Sequence, residues 1–107
     1  MVEYGEWNRQ GATLSDGTAQ KEYDVDRDFI VRGIRAGQLE YRQGAVWGNP
    51  YLRLLRSPLE RYIAEERGAE YLARGKNQTE LRKIKQEIAA LKHRLVALEA
   101  RRAELER

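Results

Sequence analysis

Cysteine is absent from this 107-residue chain, which excludes disulfides and thiolate metal sites and makes a reducing, cytoplasmic compartment the simplest expectation. Apolar runs of the roughly 18 residues needed to span a bilayer are lacking. The opening residues Met1 to Trp7 have neither the basic nor the apolar stretch of a signal peptide. The single histidine, His93, falls on the outward position of a helical heptad and reads as solvated. No nucleophile stands beside a base, and no phosphate loop or metal constellation occurs. Asp24-x-Asp26-x-Asp28 resembles the start of a calcium loop, but Phe29 stands where that loop needs glycine and Arg35 where it needs its closing glutamate. The expectation is a protein that is not an enzyme, with no metal, no cofactor, no small-molecule ligand and no membrane partner.

What the chain has in abundance is a heptad pattern. Leu81, Ile88 and Leu95 share one position of a seven-residue repeat, and Ile84, Leu91, Leu98 and Leu105 fall three residues further on. Arg102 is the only breach in this seam. The flanking charges fit, with Glu80, Glu87, Arg94 and Arg101 on one side and Lys85, Lys92, Glu99 and Glu106 on the other. Such a helix wants a partner, so residues 77–107 are expected to form a coiled coil and the protein a homodimer. The charges attract in both strand directions. Arg102 favours the antiparallel one, where it lies opposite Ile84 and its stem can snorkel outward, with the two domains about 40 Å apart.

The remaining seventy or so residues are marginal for a lone core, and pairing would add stability. The net charge of +3 conceals a gradient. Residues 1–26 carry two basic and six acidic side chains, a net of −4, whereas residues 27–61 carry seven arginines against Asp28, Glu40 and Glu60, a net of +4. The second stretch is the candidate polyanion surface.

Residues 1–13 show no sustained period and read as an N-terminal arm or loop, with Trp7 able to tuck against the domain. Ser15 or Asp16 caps a short helix to about Tyr23, and Asp26 caps a second in which Phe29, Ile30, Gly33 and Ile34 face inward until Gly37 ends it. The period then changes to two, with Leu39, Tyr41, Ala45 and Trp47 alternating around Gln43-Gly44 as a hairpin. Asn49-Pro50 interrupts, and residues 51–55 form a third strand or an extended return. Ser57-Pro58-Leu59-Glu60 has the form of a helix start with Ser57 as N-cap, and Leu59, Tyr62 and Ile63 carry the helical spacing on. Gly68 and Gly75 offer two breaks before Asn77 or Thr79 opens the coiled-coil helix. The domain is expected over 14–73.

Helix, tight turn, helix, hairpin and helix describe a winged helix-turn-helix. The run from Tyr23 to Leu39 resembles the excisionase and MerR-like winged-helix signature, with Val25, Ile30, Ile34, Arg35, Gly37 and Leu39 as the matching positions. Arg56 to Ile63 is similar to that family's helix start after the wing, so the resemblance covers about residues 14–64. The chain differs in placing Asp24 and Asp26 where the family has glycine and serine. The resemblance implies a mainly α fold with a small β-hairpin wing, a second helix that enters the major groove of double-stranded DNA, and a hairpin that reaches a neighbouring groove.

On that reading Lys21, Arg32 and Arg42 are candidate phosphate contacts, and Arg27 and Gln43 candidate base or groove readers. Arg35 can serve either DNA or internal packing. Arg42 and Gln43 are expected at the hairpin tip, Arg53, Arg56 and Arg61 as decoration of strand and helix edges, and Tyr41, Trp47 and Tyr51 in the core. The first expectation of function is a homodimeric, sequence-specific, nucleoid-associated DNA-binding protein, either a transcriptional regulator or an architectural factor in recombination. The second is a protein-docking scaffold, or a packaging subunit like a phage small terminase.

Overall fold

The computed structural model describes residues 2–107, with side chains from Gly5 onward. The chain is mainly helical, with a small antiparallel sheet and one long C-terminal helix. Its elements are α1 (Val2–Asn8), β1 (Thr13–Ser15), α2 (Asp16–Tyr23), α3 (Arg27–Arg35), β2 (Tyr41–Val46), β3 (Asn49–Leu55), α4 (Arg56–Arg67) and α5 (Ala69–Leu105). The strand order is β1-β3-β2. Leu14 pairs with Leu54 on one side of β3, and Arg42 with Arg53 on the other.

The helix boundaries follow local chemistry. The Ser15 hydroxyl accepts from the Thr18 amide at 3.1 Å, and the Asp26 carboxylate accepts from the Phe29 amide at 2.8 Å, so each supplies an acceptor to an otherwise unpaired first-turn N–H. At the far end of α3, Gly37 takes φ +75°. The Gln38 amide donates to the Gly33 carbonyl at 2.9 Å and the Gly37 amide to the Ile34 carbonyl at 3.0 Å, the paired bonds of a Schellman stop. Asp24, between α2 and α3, has φ +54°, a left-handed conformation that glycine adopts freely and aspartate tolerates.

Tyr23, Phe29, Ile30, Leu54, Leu59 and Ile63 are the largest fully buried side chains, so α2, α3, β3 and α4 share one core. The rings of Phe29 and Tyr62 lie 4.7 Å apart. Truncating Phe29 to alanine would cost about 3–5 kcal/mol through lost burial and the cavity left behind. A polar network closes one side of this core. Arg56 Nη1 donates to Glu22 Oε2 at 2.6 Å and to the Tyr23 hydroxyl at 2.7 Å, and that hydroxyl donates to Glu60 Oε2 at 2.6 Å. Burial, reinforced by the bond to Glu60, pushes the Tyr23 phenol well above its ordinary pKa. Arg56 is therefore an anchor rather than edge decoration.

Several expectations need correction. Residues 2–8 form a helix instead of an unstructured arm, held by a buried Trp7, and residue 13 already belongs to β1. Seven residues are too few to show a period, so the docking of Trp7 rather than any repeat defines α1. Helix α4 starts at Arg56, one residue before the predicted cap, and no side chain caps it. Gly75 does not break a helix: α5 runs unbroken from Ala69 to Leu105, so the boundary expected between 73 and 77 lies inside it. A Cβ at Gly75 would stand 3.2 Å from the Tyr23 Cα, so its bare backbone lets α5 pass close to the end of α2. The hydroxyls of Thr79 and Tyr71 donate to the carbonyls of Glu22 and Asp24, groups that a helix end leaves without partners. Beyond Thr79 every residue of α5 is exposed.

Candidate nucleic-acid interface

Helix α3 buries Phe29, Ile30 and Gly33 and turns Arg27, Asp28, Arg32 and Arg35 to solvent, with Val31 half-buried between them. The outward set sits at helical spacing i, i+1, i+5 and i+8, a continuous face with three guanidinium groups and one carboxylate. Gly33 makes the close seating possible, since a Cβ there would fall within 2.9 Å of Tyr62 and Leu39 side-chain atoms.

Each of these arginines has a different degree of restraint. Arg27 Nη1 donates to Asp16 Oδ2 at 2.9 Å. Asp16 is itself buried, and its Oδ1 accepts the Leu52 amide at 3.2 Å, just past the last β1 pairing at Arg53. One carboxylate thus joins β3, α2 and α3, and holds one guanidinium nitrogen of Arg27 while leaving 63% of its side chain exposed. The Arg32 guanidinium lies 5.9 Å from the Phe29 ring centre, and Arg67 of α4 stacks on the same ring at 4.6 Å. Arg35 makes no ion pair among the described residues. Lys21 is exposed in the last turn of α2.

The hairpin differs from expectation in its register. Arg42 and Gln43 are not at its tip but within β2, opposite Arg53 and Leu52. Gly44, expected in the turn, is mid-strand and lies beneath the Tyr51 ring, where a Cβ would meet ring atoms at 2.5 Å. Pro50 does not interrupt. It lies in β3 where only β2 is alongside, so its missing N–H costs no pairing with β1. Opposed arginines on neighbouring strands repel. Here Arg42 and Arg53 share the Trp7 indole at 4.4 and 5.7 Å, and Arg53 also donates to the Trp7 carbonyl at 3.0 Å and to Thr13 Oγ1 at 3.3 Å. Arg42 is thereby held at the hairpin base, and Arg53 is an anchor for α1.

The turn itself is Trp47-Gly48, with φ +54° and +81°. Trp47 is 96% exposed and Tyr41 49%, so neither is in the core, and Tyr51 is only half-buried. An open groove of about 640 Å³ runs from this tip to the start of α2, lined by Ser15, Asp16, Gly17, Trp47, Pro50 and Tyr51 among others. Sequence reasoning allowed Trp7 to dock on the domain but did not give its place beside Arg42 and Arg53, put the exposed Trp47 in the core, and did not single out Arg67. The residue-glycine pair at 47–48 was the signal for the turn, and the more familiar turn-formers at Gln43-Gly44 and Asn49-Pro50 masked it.

The seam of α5 is open. Leu81, Ile84, Ile88, Leu91, Leu95, Leu98 and Leu105 are between 45% and 69% exposed, as an unpartnered coiled-coil stripe would be. Among the described residues no group of three or more histidines or carboxylates could hold a metal ion, and no helix is long and apolar enough to cross a membrane. No family model, no curated protein and no solved structure matches the chain.

Proposed function

We propose that this protein is a homodimeric, sequence-specific DNA-binding protein of the excisionase and MerR-like winged helix-turn-helix kind, acting as a transcriptional regulator or an architectural factor in recombination. The outward face of α3 carries the reading: three arginines, one carboxylate, and a helix end that Asp26 and Gly37 fix on either side. Two helices joined by the three residues 24–26, followed by a hairpin, support the same assignment. α3 enters the major groove, Arg27 and Arg35 reach base edges, and Arg32 and Lys21 meet phosphate. Gln43 and Arg42 line the base of the hairpin and contact the flanking backbone. The protein acts by binding alone.

A second copy covers the α5 seam. The exposed stripe from Leu81 to Leu105 follows the last contact with the domain by only two residues, so pairing sets the two reading heads rigidly. Titration of duplex DNA at rising salt tests the proposal. With Lys21, Arg32 and Arg42 from both subunits on phosphate, about six in all, affinity should fall by roughly 10³ between about 50 and 200 mM salt. Absence of salt-dependent duplex binding leaves the protein-docking scaffold as the reading.

A further inference from the structure

The sheet order β1-β3-β2 leaves one side of β2 uncovered, and the bond directions in β3 say which groups that side presents. The Leu52 amide bonds Asp16 and the Arg56 amide bonds Ala12, so even-numbered residues of β3 turn toward β1 and odd-numbered ones toward β2. Arg42, Gly44 and Val46 lie opposite the odd ones, which leaves the N–H and C=O groups of Tyr41, Gln43 and Ala45 pointing outward. No backbone partner reaches them among the described residues. Outside α5, the exposed large apolar side chains among the described residues are Tyr41, Val46 and Trp47, all on β2 or the turn that ends it. Apolar exposure gathered on an open edge marks a contact with protein.

Beyond the end of β1, the other free edge is closed to pairing: β3 presents there Pro50, which has no N–H, and Leu52, whose N–H is already taken by Asp16. β2 has no such guard. It contains no proline, lysine or carboxylate, and its single charge, Arg42, is stacked on Trp7. Its pattern also fits itself. Two copies of β2 run antiparallel can set outward residue against outward residue about Gln43, so that Gln43 meets its own copy, Tyr41 meets Ala45 and Arg42 meets Gly44. All the outward residues then bond, large side chains face small ones, and no like charges are opposed. Moving the axis to Arg42 would oppose two arginines, and moving it to Gly44 would leave Tyr41 opposite the turn. We infer that β2 pairs edge to edge, about a two-fold axis at Gln43, with β2 of a second copy and so joins one α5 dimer to another. The inference rests on the α5 pairing proposed above, because a single edge is a small interface and two edges on one dimer act together. It uses backbone groups and leaves the side chains of Arg42 and Gln43 on the faces of the sheet.

Gln43 is exposed, so a charge can be placed on the axis without disturbing the core. Gln43→Lys and Gln43→Glu each oppose like charges across the two-fold, whereas a mixture of the two opposes unlike ones. The full-length proteins are compared by sedimentation equilibrium at equal concentration, low salt and without DNA. The wild type should have at least twice the mass of either variant, and a one-to-one mixture of Gln43→Lys with Gln43→Glu should return to the wild-type mass. Equal dimer masses for the wild type and Gln43→Lys overturn the edge contact and leave α5 pairing standing. A monomeric wild type overturns both. A loss of mass in the variants that mixing does not restore overturns the two-fold at Gln43, and with it a second copy as the occupant of this edge.

Discussion

The Thr79 hydroxyl donates to the Glu22 carbonyl at 2.7 Å, tying α5 to the last turn of α2 two residues before its heptad stripe begins. The bond satisfies a part-buried backbone acceptor near the end of α2. Thr79→Val keeps the shape and removes the donor, and should cost about 1–3 kcal/mol. Urea denaturation followed by near-ultraviolet circular dichroism, which reports the domain rather than the coil, measures it.

Leu91 lies at the middle of the exposed seam. Leu91→Glu would bury an unpaired charge between subunits and should weaken pairing by several kcal/mol, on the order of 3 to 5. Sedimentation equilibrium should show a monomer, and an unchanged mass would rule out the α5 interface.

Arg32 has no carboxylate partner among the described residues, whereas Arg42 is stacked on Trp7. Arg32→Ala should therefore weaken duplex binding by about 1–3 kcal/mol with the melting temperature unchanged. Arg42→Ala should lower both, because it also removes a cation–π contact of about 0.5–1 kcal/mol. Paired binding and melting experiments separate the two roles.

The Tyr23 phenol carries a linkage prediction. Burial and the Glu60 bond raise its pKa above that of a free tyrosine, so the folded chain keeps a proton that the unfolded chain releases at alkaline pH. Stability from this group is fully present below about pH 10 and declines as pH rises further. Tyr23→Phe should be less stable than the wild type near neutrality and lose less between about pH 9 and pH 11, as read from urea midpoints.

For a dimer paired through α5, Arg102 favours antiparallel strands. Antiparallel pairing places it opposite Ile84 of the other copy and keeps two Gln78 residues about 45 Å apart at 1.5 Å rise per residue. Spin labels at Gln78 should report that long distance; a short one would mean a parallel coil.

The caps at Ser15 and Asp26, the stop at Gly37, the end of α4 at Gly68 and the seam from Leu81 were legible in the sequence because each works within a few residues of its own position. A side-chain oxygen reaches an amide three residues on, and a heptad repeats along one helix, whatever the rest of the chain does. Gly75 and Gly44 were misread for the opposite reason. Each looked like a break, but the Tyr23 backbone and the Tyr51 ring, brought up by folding, use the missing side chain for close approach. The candidate interface divides in the same way. The sequence by itself determined that arginines crowd the second helix and that the C-terminal helix carries an apolar heptad stripe. Only the tertiary structure decided that Arg27 leans on Asp16, that Arg42 and Arg53 share Trp7, and that Trp47 stands uncovered at the turn. Those outcomes depend on contacts between segments up to some forty-six residues apart, as from Trp7 to Arg53, and packing of that range leaves no periodic trace along the chain.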